Sequence, residues 1–215
     1  AENFLFGEGK IEKKDVKDSY IKKIKENINI KNKLNISIDC GNGAAGIVAK
    51  EVYESLGCKV TELYGEIDGS FPNHHPDPSK IENLSELIES VIKENSSIEL
   101  AFDGDADRVG VVDEKGYVLW ADELMSIFLP DIIKNGEDIL FDVKCSKALE
   151  DMINHYGGNP IMWKTGHSLI KQKMTEVGCK FAGEMSGHIF FADDYYGYDD
   201  AIYVAARLLE LLSKT

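Results

Sequence analysis

Positive charge is what this 215-residue chain is short of: 24 Lys and Arg stand against 38 Asp and Glu, a formal net charge of −14. Nucleic acid and anionic membranes both need a basic surface, so neither is expected as a partner. A small anionic substrate stays open, because it needs only a local cluster of cations. Cysteine is scarce too. Cys40, Cys58, Cys145 and Cys179 are scattered without C-x-x-C spacing, which argues against a zinc site or a disulfide frame and for small core residues in a reducing compartment. No apolar run approaches the roughly 20 residues of a membrane span. The opening AENFLFGEGKIEKKD lacks the apolar core of a secretion signal. A cytoplasmic protein is expected. Proline is sparse, and three of the five crowd into GSFPNHHPDPS (Pro72, Pro76, Pro78), which must therefore be loop.

What the chain does have is strand and helix in alternation. LNISID places Leu34, Ile36 and Ile38 at strand spacing, AAGIVAKEVYESLG follows as a helix stopped at Gly57, and CKVTELY is the next strand. SIELAF is a strand, and RVGVVD with YVLW reads as a hairpin around DEKG. The alternation resumes through DILFDV, PIMW, CKFAG and HIFFAD and closes on the helix DDAIYVAARLLELLSK. The expected fold class is α/β: two consecutive three-layer α/β units with mainly parallel sheets, each with its own core. An approach segment over 1–18, a first unit over 19–118 and a second over 119–215 follow from that pattern.

Ligands of such sheets sit beyond the carboxyl ends of the strands. One of these exits, FDGDADR, sets Asp103, Asp105 and Asp107 on alternate residues. Like charges so close raise one another's pKa unless a cation holds them, and three carboxylates suit a hard ion such as Mg²⁺. An EF-hand also starts D-x-D-x-D, but it needs Gly at its sixth position, where Arg108 stands, and helical flanks. Arg108 beside the triad suits a phosphate. GNGAAG (Gly41, Gly43, Gly46) fits the dinucleotide pattern G-x-G-x-x-G, and also any tight strand-to-helix turn; the latter reading is favoured. WKTGHS and GEMSGH bring Lys164, His167, Glu184, Ser186 and His188 to strand exits of the second unit, with Lys144 just past LFDV. Glu and Ser suit sugar hydroxyls, while His and Lys suit a phosphate or a proton. His74, His75 and His155 are read as ordinary turn and helix-surface residues.

Taken in order, DCGNGAAG, FPNHHPDP, AFDGDADRVGVVDEKG, DVKCS, MWKTGHSLIK, AGEMSGHIFF and YGYDDAIY make the chain resemble the α-D-phosphohexomutase family, in particular its bacterial phosphomannomutase/phosphoglucomutase group, from about Ser19 onward. The resemblance implies domains 2 and 3 of a four-domain enzyme that interconverts hexose 1-phosphate and hexose 6-phosphate through a bisphosphate. It implies Mg²⁺ on Asp103, Asp105 and Asp107, with a phosphoserine of domain 1 as a further ligand. Arg108 would touch that phosphate, Lys144 and His167 would serve the reacting hydroxyls, and Glu184 and Ser186 would hold sugar O3 and O4 beside His188. Glucose or mannose 1,6-bisphosphate would act as activator, and domains 1 and 4 would be partners of this piece, which alone is expected to be inactive. Two departures stand out. The metal loop usually reads D-G-D-G-D-R, so Ala106 asks the turn to avoid positive φ. Neither a T-x-S-H-N-P-like serine loop nor an R-x-S-x-T-E-P-like phosphate loop is present. A dinucleotide-binding oxidoreductase domain and a non-catalytic metal or sugar-phosphate module are the alternatives.

Overall fold

Hydrophobic period sets the elements of the computed structural model, which describes residues 7–94 and 96–214. Residues 1–6 of the expected approach segment lie outside the described residues. The first unit runs α1 (Lys17–Asn27), β1 (Asn35–Asp39), α2 (Ala49–Ser55), β2 (Lys59–Leu63), α3 (Ser85–Glu94), β3 (Ile98–Phe102), β4 (Val109–Asp113) and β5 (Val118–Leu119). Its sheet has the order β2-β1-β3-β4-β5, with β1 parallel to both neighbours and the β3–β4 and β4–β5 pairs antiparallel. The second unit runs α4 (Ala121–Ile132), β6 (Asp138–Asp142), α5 (Lys147–His155), β7 (Asn159–Trp163), α6 (His167–Val177), β8 (Phe181–Gly183), β9 (Ile189–Phe191) and α7 (Ala201–Leu212). Its order is β7-β6-β8-β9, antiparallel only at β9. The parallel pairs lie where a helix crosses over, and the antiparallel pairs where a short turn suffices.

Helices cover both faces of each sheet because successive strand residues point opposite ways. In β1, Ile36 and Ile38 join the cluster that holds Ile21 of α1 and Val52 of α2. Ser37 between them faces Ser90 of α3, whose hydroxyl lies 3.4 Å away. In β6, Phe141 packs with Phe128 of α4 and Leu149 of α5, while Leu140 packs with Ile170 and Met174 of α6.

The expectation of separate cores does not hold. One cluster of buried side chains runs from Ile36 and Phe102 of the first sheet, through α7, to Phe141 and Phe181 of the second. Every residue of α7 from Ala201 to Leu209 is buried, and a helix apolar on all sides must be covered on all sides. Polar contacts seal the junction: buried Tyr53 donates its hydroxyl to the Ile202 carbonyl at 3.1 Å, and Tyr20 to Asp200 Oδ1 at 2.9 Å. Thermal unfolding of the chain is therefore expected to show a single calorimetric transition. Tyr203→Ala, which hollows the shared core, should move that one transition as a whole by about 3–5 kcal/mol of stability. Two separable transitions would contradict a shared core.

Candidate functional site

Asp103 follows Phe102 directly, so the end of β3 fixes it, and it is almost fully buried. Its Oδ1 accepts the backbone N–H groups of Asp107 and Arg108 at 3.0 and 3.1 Å, and its Oδ2 accepts Arg108 Nε at 2.7 Å. One carboxylate thus closes the loop and holds the guanidinium, which also reaches Asp77 Oδ1 of the Pro-rich loop at 3.3 Å. One oxygen from each of Asp103, Asp105 and Asp107 lies within 4.8 Å of the others. Burial pushes the Asp107 carboxyl above its usual range, the neighbouring aspartates add to this, and His188 opposes it. An all-oxygen donor set under that repulsion fits a hard divalent cation. The expectation that Ala106 avoids positive φ is corrected: its φ is +64°. Turning Asp105 and Asp107 toward Asp103 requires the left-handed region there, and Ala bears a cost of about 1–2 kcal/mol that Gly would not.

The glycine loop serves this geometry. Ala44 N–H donates to the Gly104 carbonyl at 2.9 Å, and a Cβ on Gly43 would come within 2.7 Å of that same oxygen. A Cβ on Gly46 would meet the Gly65 carbonyl at 2.0 Å. These glycines admit neighbouring backbone instead of a pyrophosphate, so the dinucleotide reading fails. His74 is a satisfied structural histidine, its Nε2 2.9 Å from buried Asp39 Oδ2.

From the second unit, the turn Glu184–His188 docks on the same loop. Glu184 N–H donates to the His188 carbonyl at 2.8 Å, and the Gly187 carbonyl accepts Val109 N–H at 3.3 Å. Gly187 has φ +105° and lies so close to the Val109 carbonyl that a Cβ would sit 3.2 Å from it. Glu184 is buried and accepts the Gly166 N–H, which ties its turn to the start of α6. His188 Nδ1 lies 3.5 Å from Asp107 Oδ1, and its ring stacks on His167 at 5.3 Å between centroids. Ser186 is half-buried beside Gly187.

The fold therefore gathers Asp103, Asp105, Asp107, Arg108, Glu184, Ser186, His188 and His167. Lys144 is exposed, and its Nζ approaches the group only through Asp142, 4.0 Å from Oδ2. Lys164 lies apart, over the Trp163 ring at 6.0 Å. Two organising residues escaped sequence reasoning. Asp142 is fully buried and accepts from Met185 N at 3.0 Å, Thr165 Oγ1 at 2.7 Å and Cys145 Sγ at 3.2 Å, holding three loops. Asp199 takes Lys171 Nζ at 2.7 Å and faces His188 Nδ1 at 3.1 Å. Burial disfavours its charge, but His188 and Lys171 outweigh that and hold its carboxyl below the usual range. Their signals were slight: an Asp ending an apolar strand in DILFD, and the doublet in YGYDD.

Residues 18–116 match the model of phosphoglucomutase/phosphomannomutase alpha/beta/alpha domain II, and residues 120–215 that of domain III. The chain is 52% identical over 210 residues to a phosphomannomutase/phosphoglucomutase of Pseudomonas aeruginosa, covering 97% of this chain and 45% of that protein. It is 47% identical over 208 residues to a phosphoglucomutase of Neisseria gonorrhoeae, at 96% and 45% coverage. A solved phosphoglucomutase/phosphomannomutase family protein from Burkholderia thailandensis superposes with a TM-score of 0.96 at 44% identity, over 99% of this chain and 47% of its own. An Aspergillus fumigatus N-acetylphosphoglucosamine mutase, solved with GlcNAc-6P and magnesium, shares the fold at 14% identity and a TM-score of 0.63. The chain thus spans about half the length of the relatives it matches. No helix among the described residues is long and apolar enough to cross a membrane.

Proposed function

The chain belongs to the phosphoglucomutase/phosphomannomutase family, and from that premise we propose that it forms the metal- and sugar-binding centre of a mutase exchanging phosphoryl between O1 and O6 of a hexose. The observation that carries this reading is the docking of the Glu184–His188 turn on the aspartate loop, which sets sugar-binding groups beside a cation cage. Asp103, Asp105 and Asp107 hold Mg²⁺, as the magnesium in the fold-sharing Aspergillus mutase suggests. When bound, such an ion offsets negative charge on a transferring phosphoryl group. Arg108, aimed by Asp103 and Asp77, meets phosphate oxygens from the protein side. Glu184 and Ser186 orient the ring through O3 and O4. His167, stacked on His188, or Lys144, whose Nζ approaches through Asp142, would move the proton of the reacting hydroxyl. The phosphoserine that stores the group belongs, on this reading, to the part of the relatives' length outside the chain's share, as does the loop anchoring substrate phosphate. Residues 1–215 then bind hexose phosphate but do not interconvert it. The boundaries 19–118 and 119–215 mark its two family domains.

Calorimetry tests this with the chain itself. Glucose 1,6-bisphosphate should bind in the presence of Mg²⁺ and bind at least tenfold more weakly in its absence. Mannose 1,6-bisphosphate, which differs only at C2, should bind with similar affinity, and Glu184→Gln should weaken both alike. Loss of one epimer alone would show that Glu184 reads C2. Binding of neither bisphosphate would remove the proposal.

A further inference from the structure

The strand exits of the second unit bring two imidazoles face to face. His167, at the start of α6, and His188, in the 184–188 turn, stack with ring centroids 5.3 Å apart. Asp199 sits against both. Its side chain is 5% exposed, and its backbone bridges to Phe190 of β9. Asp199 Oδ2 lies 3.1 Å from His188 Nδ1 and 3.4 Å from His167 Nδ1, while Oδ1 accepts Lys171 Nζ at 2.7 Å. Lys171 stands one helical turn after His167, and its ammonium also reaches His167 Nδ1 at 3.2 Å.

These neighbours assign the hydrogen of each neutral ring. His188 Nδ1 faces two carboxylate oxygens, Asp199 Oδ2 and, at 3.5 Å, Asp107 Oδ1. Carboxylates only accept, so Nδ1 donates, and the lone pair is left on Nε2 at the far side of the ring. His167 Nδ1 has the Lys171 ammonium closer to it than the Asp199 carboxylate. An ammonium only donates, so this Nδ1 accepts and Nε2 bears the hydrogen.

We propose that Asp199 and Lys171 are positioning residues that hold the stacked histidines in opposite tautomers, His188 accepting and His167 donating at Nε2. A hexose phosphate then meets one nitrogen that takes a hydrogen and one that gives it, from two rings that keep these roles while the Lys171–Asp199 pair is intact. The tautomers stand on the geometry of these side chains; their effect on turnover rests on the mutase reading.

Long-range proton–nitrogen NMR correlation of the chain labelled at histidine tests this in alkaline solution, where imidazoles are neutral. A ring nitrogen with a lone pair resonates far downfield of one bearing hydrogen, and the spectra of His188→Gln and His167→Gln assign the signals. The downfield nitrogen should be Nε2 in His188 and Nδ1 in His167. Free histidine favours the Nε2–H form, so His188 should stand in the minor one. Asp199→Asn should reverse it: Lys171 claims the amide oxygen, the NH₂ turns to His188 Nδ1, and the lone pair moves there. Lys171→Met leaves Asp199 as the neighbour of His167 Nδ1 and should move the hydrogen onto that nitrogen, with His188 unchanged. Circular dichroism checks that both variants stay folded. In a mutase of full family length, Asp199→Asn should lower kcat at least about a hundredfold with KM little changed, as a misplaced imidazole hydrogen does. An Nε2–H form of His188 in the wild type, a His188 tautomer that survives Asp199→Asn, or reversed tautomers with unchanged kcat would each overturn the proposal. Absence of mutase activity in the wild type would leave the spectra as they are, so the two readings fail separately.

Discussion

Asp103→Asn in a mutase of full family length is expected to lower turnover by about a thousandfold. The carboxylate does three things at once: it closes the loop on two backbone N–H groups, aims Arg108 through Nε at 2.7 Å, and supplies one member of the triad. An amide cannot keep all three. With its oxygen toward the backbone, its NH₂ faces the Arg108 N–H, donor against donor; with the amide flipped, the backbone donors lose their acceptor. Losing a cation ligand and the orientation of a phosphate-binding guanidinium together is a loss on the order of 4 kcal/mol of transition-state stabilisation. Asp105→Asn separates these effects. Asp105 is exposed, so its replacement should weaken the cation without destabilising the fold, whereas Asp103→Asn should also cost about 1–3 kcal/mol of stability. Steady-state kinetics with thermal denaturation of both variants checks this. Unchanged turnover in Asp103→Asn would show that the loop plays no part in the chemistry.

Glu99→Gln is expected to stabilise the chain by about 3 kcal/mol above pH 8 and by almost nothing below pH 4. Glu99 sits in the middle of β3, fully buried under α3, and neither of its carboxylate oxygens has an aligned partner among the described residues. The serines of that face are engaged with one another, Ser37 Oγ lying 2.7 Å from Ser96 Oγ. Burial pushes the carboxyl from an ordinary 4.5 up to about 7, against a smaller pull from Ser90 and Ser37. A raised carboxyl favours the protonated folded state. Its contribution is complete below the unfolded value, declines as pH climbs from 4.5, and is lost above about 7. A neutral amide escapes that decline. Denaturant unfolding of wild type and variant at pH 4, 6 and 8 should show the gap opening with pH; a gap independent of pH would mean that the fold leaves the Glu99 carboxyl at its ordinary value.

The aspartate loop was legible because its signal is local: three carboxylates at alternate positions straight after an apolar strand. The strand–helix order was legible for the same reason, each element carrying its own hydrophobic period. What escaped depends on contacts between distant segments. α7 contains one arginine, Arg207, which is nevertheless buried, held by Asp193 at 2.9 Å and laid over the Phe191 ring at 4.5 Å. Neutralised in this way, the helix can be enclosed by both sheets, and the separate cores expected from length become one. Asp199 was equally hidden, since Lys171, His188 and Asp107 come from three other segments of the chain. Ala106 misled through its residue type: Ala normally avoids positive φ, and here the convergence of the triad imposes it.

The central claim is that Asp103, Asp105 and Asp107 form a cage for a hard divalent cation, and Mn²⁺ titration followed by electron paramagnetic resonance addresses it most directly. The chain should bind one Mn²⁺ that excess Mg²⁺ displaces, and Asp105→Asn should weaken that Mg²⁺-displaceable binding at least about tenfold, the effect of losing roughly 1.4 kcal/mol from a charged ligand. Equal affinity for Mn²⁺ in wild type and Asp105→Asn would contradict the account.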